Sequence, residues 1–124
     1  MSETGRPEVI LDVVFEDGAL FLALRNIGDR PALHVETRFR RALMGLGGTK
    51  DLRELALFRR LEFLGPGREI RTLLDSSAAL FRRRQSTKVA VTISYADPEG
   101  KRYETSVQHD LAVYREVAYV IRRD

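Results

Sequence analysis

The sequence predicts an all-β chain with two antiparallel sheets packed face to face. Three observations carry this expectation. Apolar residues recur at every second position in short stretches, the period of a strand buried on one face. Turn-forming clusters separate those stretches at Asp17-Gly18, at residues 26–31, at Gly65-Pro66-Gly67 and at residues 97–100. The 124 residues have the length of one domain, and an apolar content of 44% is enough to bury a core, so wholesale disorder is excluded.

Residues 9–15 align Val9, Leu11, Val13 and Phe15 on one face as a first strand. Asp17-Gly18 supplies a two-residue hairpin turn, because glycine tolerates the positive φ that a primed turn requires. A second strand over 19–26 aligns Leu20, Leu22 and Leu24, and residues 26–31 form the next turn. A third strand over 32–39 directs Leu33, Val35, Thr37 and Phe39 one way and His34, Glu36 and Arg38 the other. That alternation belongs to a sheet wet on one side.

The alternation stops at Arg40. Residues 40–54 hold Gly45, Gly47 and Gly48 and read as a long loop with a turn of helix near Leu52. Such a loop in a small domain is often functional. A fourth strand is expected over 56–64, and a fifth over 69–74 with Ile70, Thr72 and Leu74 aligned. Residues 76–84 fit a short helix capped by Ser76 or Ser77. A sixth strand over 88–95 turns Val89, Val91, Ile93 and Tyr95 inward. Residues 97–100 suit a hairpin loop around a type I turn, with Pro second and Gly last. The seventh strand is expected over 102–111. In the tail, 112–124, Tyr114, Val117, Ala118 and Ile121 fit a helical stripe, whereas Val117, Tyr119 and Ile121 fit an eighth strand. The crowding of β-branched and aromatic residues favours strand.

Seven or eight short strands in a chain of this length predict an immunoglobulin-like antiparallel β-sandwich with a long loop between the third and fourth. Three segments add a resemblance. Asn26-Ile27-Gly28-Asp29-Arg30-Pro31-Ala32 resembles the turn into the third strand of bacterial immunoglobulin-like domains of the cell-adhesion-related (CARDB) type, where N-x-G is followed shortly by Ala or Pro. Leu64-Gly65-Pro66-Gly67-Arg68-Glu69-Ile70 is similar to their L-x-P-G-x turn, and residues 93–103 are similar to their last hairpin. The likeness covers residues 7–111 and departs at the 40–54 loop and the tail. It implies the sandwich and no activity, because the family has no common active site.

Composition excludes several chemistries. There is no cysteine, hence no disulfide framework, thiolate metal site or cysteine nucleophile. His34 and His109 are the only histidines, without metal-ligand spacing. No serine lies in G-x-S-x-G. Residues 45–50 look superficially like a phosphate loop but lack its spacing and a framing βαβ unit. Asp29, Asp97 and Glu99 are expected at one end of the sandwich, where turn chemistry accounts for them. The expectation is therefore no enzyme and no cofactor. The first ten residues lack the layout of a secretory leader, and no apolar run approaches the ~20 residues of a membrane span, so a cytoplasmic location is expected.

Charge is segregated. Residues 36–84 carry 12 basic and 6 acidic side chains, against 9 and 12 in the remainder, and 18 of the 21 basic residues are Arg. The sandwich topology would bring Arg40, Arg41, Lys50 and Arg53 toward Arg82, Arg83 and Arg84 at the end opposite the acidic turns. Leu43, Met44 and Leu46 share the glycine-rich loop there, and Phe81 precedes the arginine triplet. Two arrangements are open. The apolar loop tip docks a partner inside a basic rim, or it folds back and plugs the sandwich with Leu43 or Leu46 in the core. The expected function is an interaction or assembly module for a protein partner or a second copy. The alternative is a binder of anionic membrane or nucleic acid through the Arg-rich end.

Overall fold

The computed structural model describes residues 5–83, 85–115 and 117. The described residues form an antiparallel β-sandwich with nine strands. The first sheet has the order β1-β2-β7 and the second β6-β3-β8-β9, with a small separate hairpin β4-β5. The long strands are β1 (Val9–Glu16), β2 (Ala19–Asn26), β3 (Ala32–Phe39), β7 (Glu69–Ser76), β8 (Lys88–Ala96) and β9 (Arg102–Asp110). Each falls within two residues of its expected span. Asp17-Gly18 makes the first hairpin with both residues at positive φ, 53° and 76°.

Leu11, Leu20, Leu22, Leu24 and Leu74 of the first sheet meet Val35, Val89, Val91, Ile93 and Tyr95 of the second in one buried cluster. Inward side chains at alternate positions are the reason the sheets stack: each face hides its apolar set only against the other. Connections complete the core. Leu43 and Leu52 from the 40–54 segment, Phe58, Leu80 and Leu111 are all buried in it.

Several expectations need correction. The 40–54 segment is not a plain loop. It forms β4 (Met44–Gly45), β5 (Lys50–Asp51) and a 3-10 turn Leu52–Glu54, the helical turn expected near Leu52. The fourth strand is split: Ala56–Arg59 is a helical turn, α1, and only Leu61–Leu64, β6, is strand. Leu52, Leu55 and Phe58 stand three residues apart, a helical spacing that carries all three toward the core. In β3, His34 takes a positive φ of 54° and the register against β8 shifts between Leu33 and Glu36. This bulge changes the phase, so Ala32 and Val35 point inward and Leu33 is only half-buried.

The helix expected over 76–84 is α2 (Ser77–Arg82), with the Ser76 hydroxyl accepting from the Ala79 amide. The tail does not begin as an eighth strand: Leu111–Val113 is a 3-10 turn capped by the Asp110 carboxylate, and Tyr114 and Arg115 stay helical. Val117 is helical too, and Ala118, Tyr119 and Ile121 lie outside the described residues.

Candidate functional site

The basic end is built on the β4-β5 hairpin. Its turn passes through three residues of positive φ, Leu46, Gly47 and Gly48. The Leu46 amide donates to the Leu74 carbonyl at 2.8 Å, which lays the hairpin along the end of β7. Only glycine fits at position 45, where a Cβ would stand 2.3 Å from the Leu74 oxygen. The turn's amides are already engaged, Gly47 on Asp75 and Gly48 and Thr49 on Gly45, so this loop is no phosphate cradle.

Arg83 sits under that hairpin. Its guanidinium donates to Asp75 at 2.6 Å and to the Met44 carbonyl at 2.9 Å. Asp75 also accepts from the Gly47 and Ser76 amides. Burial pushes the Asp75 carboxyl up, but Arg83 and the two amides outweigh it and hold the group below the usual carboxylate range.

The eleven residues picked out by sequence therefore divide. Leu43 is buried and Met44 half-buried, so the loop tip presents only Leu46, which is 46% exposed. Arg83 is a structural clamp rather than part of an open rim. Arg53 folds onto Asp51 at 2.8 Å, which lowers the Asp51 carboxyl, and Lys50 is half-buried on β5. Phe81 packs against the core and lies under the Arg115 guanidinium, 4.6 Å from its ring centroid, while Arg82 is exposed. Arg84 lies outside the described residues. Arg40 and Arg41 go elsewhere. They follow the end of β3 and line an open depression with Lys88, Val89, Ala90, Gln108, His109 and Asp110.

Strand register explains that depression. The Arg40 amide donates to the Ala90 carbonyl, and Ala90 pairs with Gln108 while Lys88 pairs with Asp110. A single methyl at Ala90 leaves a low floor between the longer side chains of β3 and β9. Asp110 is fixed by the Thr87 hydroxyl at 2.7 Å and the Ala112 amide at 3.0 Å, and these bonds lower its carboxyl. Arg40, Arg41 and Lys88 make no ion pair among the described residues, although Arg38, two residues back, is tied to Glu104 and Glu36.

At the other end the acidic turn residues are occupied. Asp29 accepts from the Arg6 amide, and Glu99 pairs with Arg30 at 2.8 Å. Asp97 accepts from the Glu99 and Lys101 amides and the Tyr103 hydroxyl. His34 is exposed and bonded to Glu62. His109 points inward, donating from Nε2 to the Leu11 carbonyl at 2.7 Å and so bridging β9 to β1 across the two sheets.

Sequence reasoning missed the opposite side of the sandwich, where β6 and β7 are edge strands that pair with no further strand among the described residues, apart from the β4-β5 turn at Leu74. Phe63 is 58% exposed, and Ile70, aligned by sequence with Leu74, is 38% exposed while Leu74 is buried. With the Gly65-Pro66-Gly67 turn they line a second concavity of about 710 Å³. Phe63 alone in a short segment gave no signal. Lys88 was missed because only cross-strand pairing brings it to the arginines.

A family model described as a domain of unknown function (DUF8453) matches residues 1–115. Comparison with curated proteins and with solved structures finds no match.

Proposed function

The chain belongs to the DUF8453 family, and from that starting point we propose that it is a non-enzymatic interaction module. It takes an extended segment of a protein partner, a second copy of itself included, at the β6–β7 side of the sandwich. The observation that carries this is the exposure of Phe63 and Ile70 between two strand edges that, short of the β4-β5 turn, pair with nothing among the described residues. An uncovered edge displays backbone donors and acceptors ready for another strand, and nearby apolar side chains add burial on contact. The other side of the sandwich supports the contrast. There His109 reaches across to β1, and Tyr114 packs near Phe15 with ring centroids 6.2 Å apart. A cytoplasmic setting and kinship with immunoglobulin-like CARDB domains belong to the same reading. The strand orders 1-2-7 and 6-3-8-9 support the kinship.

The test is site-specific photocrosslinking in cells, with benzoylphenylalanine in place of Phe63 and, as control, in place of Asp17 at the β1–β2 turn. Adducts at 63 and none at 17 are expected, and their mass tells a second copy from another protein. No adduct at 63, or equal yields at both positions, overturns the reading.

A second reading, an anionic partner at basic surface, is favoured by a different observation: Arg40, Arg41 and Lys88 gather around one depression with no ion pair among the described residues. It keeps two of the arginines first picked out and drops Leu43 and Arg83, which the core and Asp75 occupy.

A further inference from the structure

We infer that the depression floored by Ala90 is a binding site for the dianion of a phosphate monoester; this deepens the anionic reading and rests on it. The depression measures about 340 Å³ and opens to solvent. Three cationic groups, Arg40, Arg41 and Lys88, and one carboxylate, Asp110, line it. The carboxylate accepts from the Thr87 hydroxyl and the Ala112 amide, and among the described residues it makes no ion pair with the three cations. The lining thus keeps an excess of two positive charges, which matches a group carrying two negative ones.

Geometry supports the same ligand. Arg40 and Gln108 flank Ala90 on neighbouring strands, one offering a guanidinium fork and the other an amide. Guanidinium groups meet phosphoryl oxygens in paired hydrogen bonds, and a lysine adds a compact charge. The short Ala90 side chain leaves room for a tetrahedral head, and its methyl provides apolar surface for the ester carbon, while Val89 beside it turns into the core. Arg38 does not compete, since Glu36, Ser94 and Glu104 occupy it.

The experiment titrates the intact, isotope-labelled chain with methyl phosphate and with dimethyl phosphate, at a pH above the second ionisation of the monoester, about 6. Methyl phosphate is expected to shift the amides of Arg40, Arg41, Lys88, Ala90 and Gln108 saturably. Dimethyl phosphate, with one charge fewer, is expected to bind at least about tenfold more weakly. Ala90→Leu raises the floor without changing charge and should abolish saturation, as should Arg40→Gln combined with Arg41→Gln. Arg82→Gln should leave binding unchanged. Equal affinity for both esters, or an unaltered titration in Ala90→Leu, overturns the proposal. If methyl phosphate fails while heparin shifts the same amides and the paired arginine variant stops it, the monoester is wrong and the broader anionic reading stands. Failure of both ligands removes both.

Discussion

Arg83 donates from Nη1 to Asp75 Oδ2 at 2.6 Å, and this pair bonds the residue after α2 to the bulged end of β7. Arg83 reaches on to the Met44 carbonyl, so one guanidinium joins the ends of β7 and α2 to β4, 39 residues away in sequence. The Asp75 side chain is 7% exposed and that of Arg83 21%. Removing one partner of such a pair leaves the other charged and poorly solvated. Asp75→Ala should lower unfolding free energy by roughly 3 kcal/mol, read as a shifted urea midpoint.

Acid sensitivity follows from the same carboxylate. Its folded pKa lies below its unfolded value, so the folded state releases the proton more readily. The stability it contributes is present above about pH 4, the unfolded value, and is lost as pH falls through the folded one. Urea midpoints measured downward from neutral pH should drop steeply below that point, and Asp75→Asn should flatten the drop. Asp51, Asp97 and Asp110 are lowered too and add to the same slope. A variant with an unchanged slope would remove Asp75 from the account.

Gly45 tests the seating of the hairpin on β7. An alanine there meets the Leu74 carbonyl, and backbone atoms must move. Gly45→Ala should cost about 1–3 kcal/mol and speed amide exchange at Leu46 and Gly47, both of which stay protected in the unsubstituted chain.

Phe58 is fully buried and meets Phe39 edge to face with centroids 5.2 Å apart. It anchors α1 to the sheet. Phe58→Ala should destabilise by about 3–5 kcal/mol, and Phe58→Leu by much less, in thermal or urea unfolding.

Asn26 holds the acidic end together. Its Oδ1 accepts from the Glu8 and Gly28 amides, and its Nδ2 donates to the carbonyls of Arg30 and Leu64. It is 1% exposed, so Asn26→Ala leaves four backbone groups without this partner and should cost roughly 2–3 kcal/mol or more. Asn26→Asp keeps the acceptor and loses the donor, so its amide-exchange changes should concentrate beyond Arg30 and Leu64.

The long strands were legible because apolar alternation and turn residues agreed along 9–39 and 88–110. The 52–58 helical turns were less so. Leu52, Leu55 and Phe58 repeat every three residues only briefly, among Arg59, Arg60 and other residues that suit a strand as well. The bulge at His34 could not be foreseen, because a positive φ at a histidine has no local marker. Of the candidate site, the arginine count and its bias to 36–84 were visible. Which arginines are engaged was not, since Asp75 and Arg83 meet only after α2 folds against β7. Lys88 and Gln108 joined Arg40 through ladder register, a property of two strands that neither sequence states alone.

The seating of the β4-β5 turn on Leu74 has one more effect. It stoppers one end of a strand whose outer edge is otherwise bare among the described residues, so any newcomer has only the short run before that stopper on which to zip. A stack of many chains growing along β7 would stall there, while a brief pairing with one visitor would not.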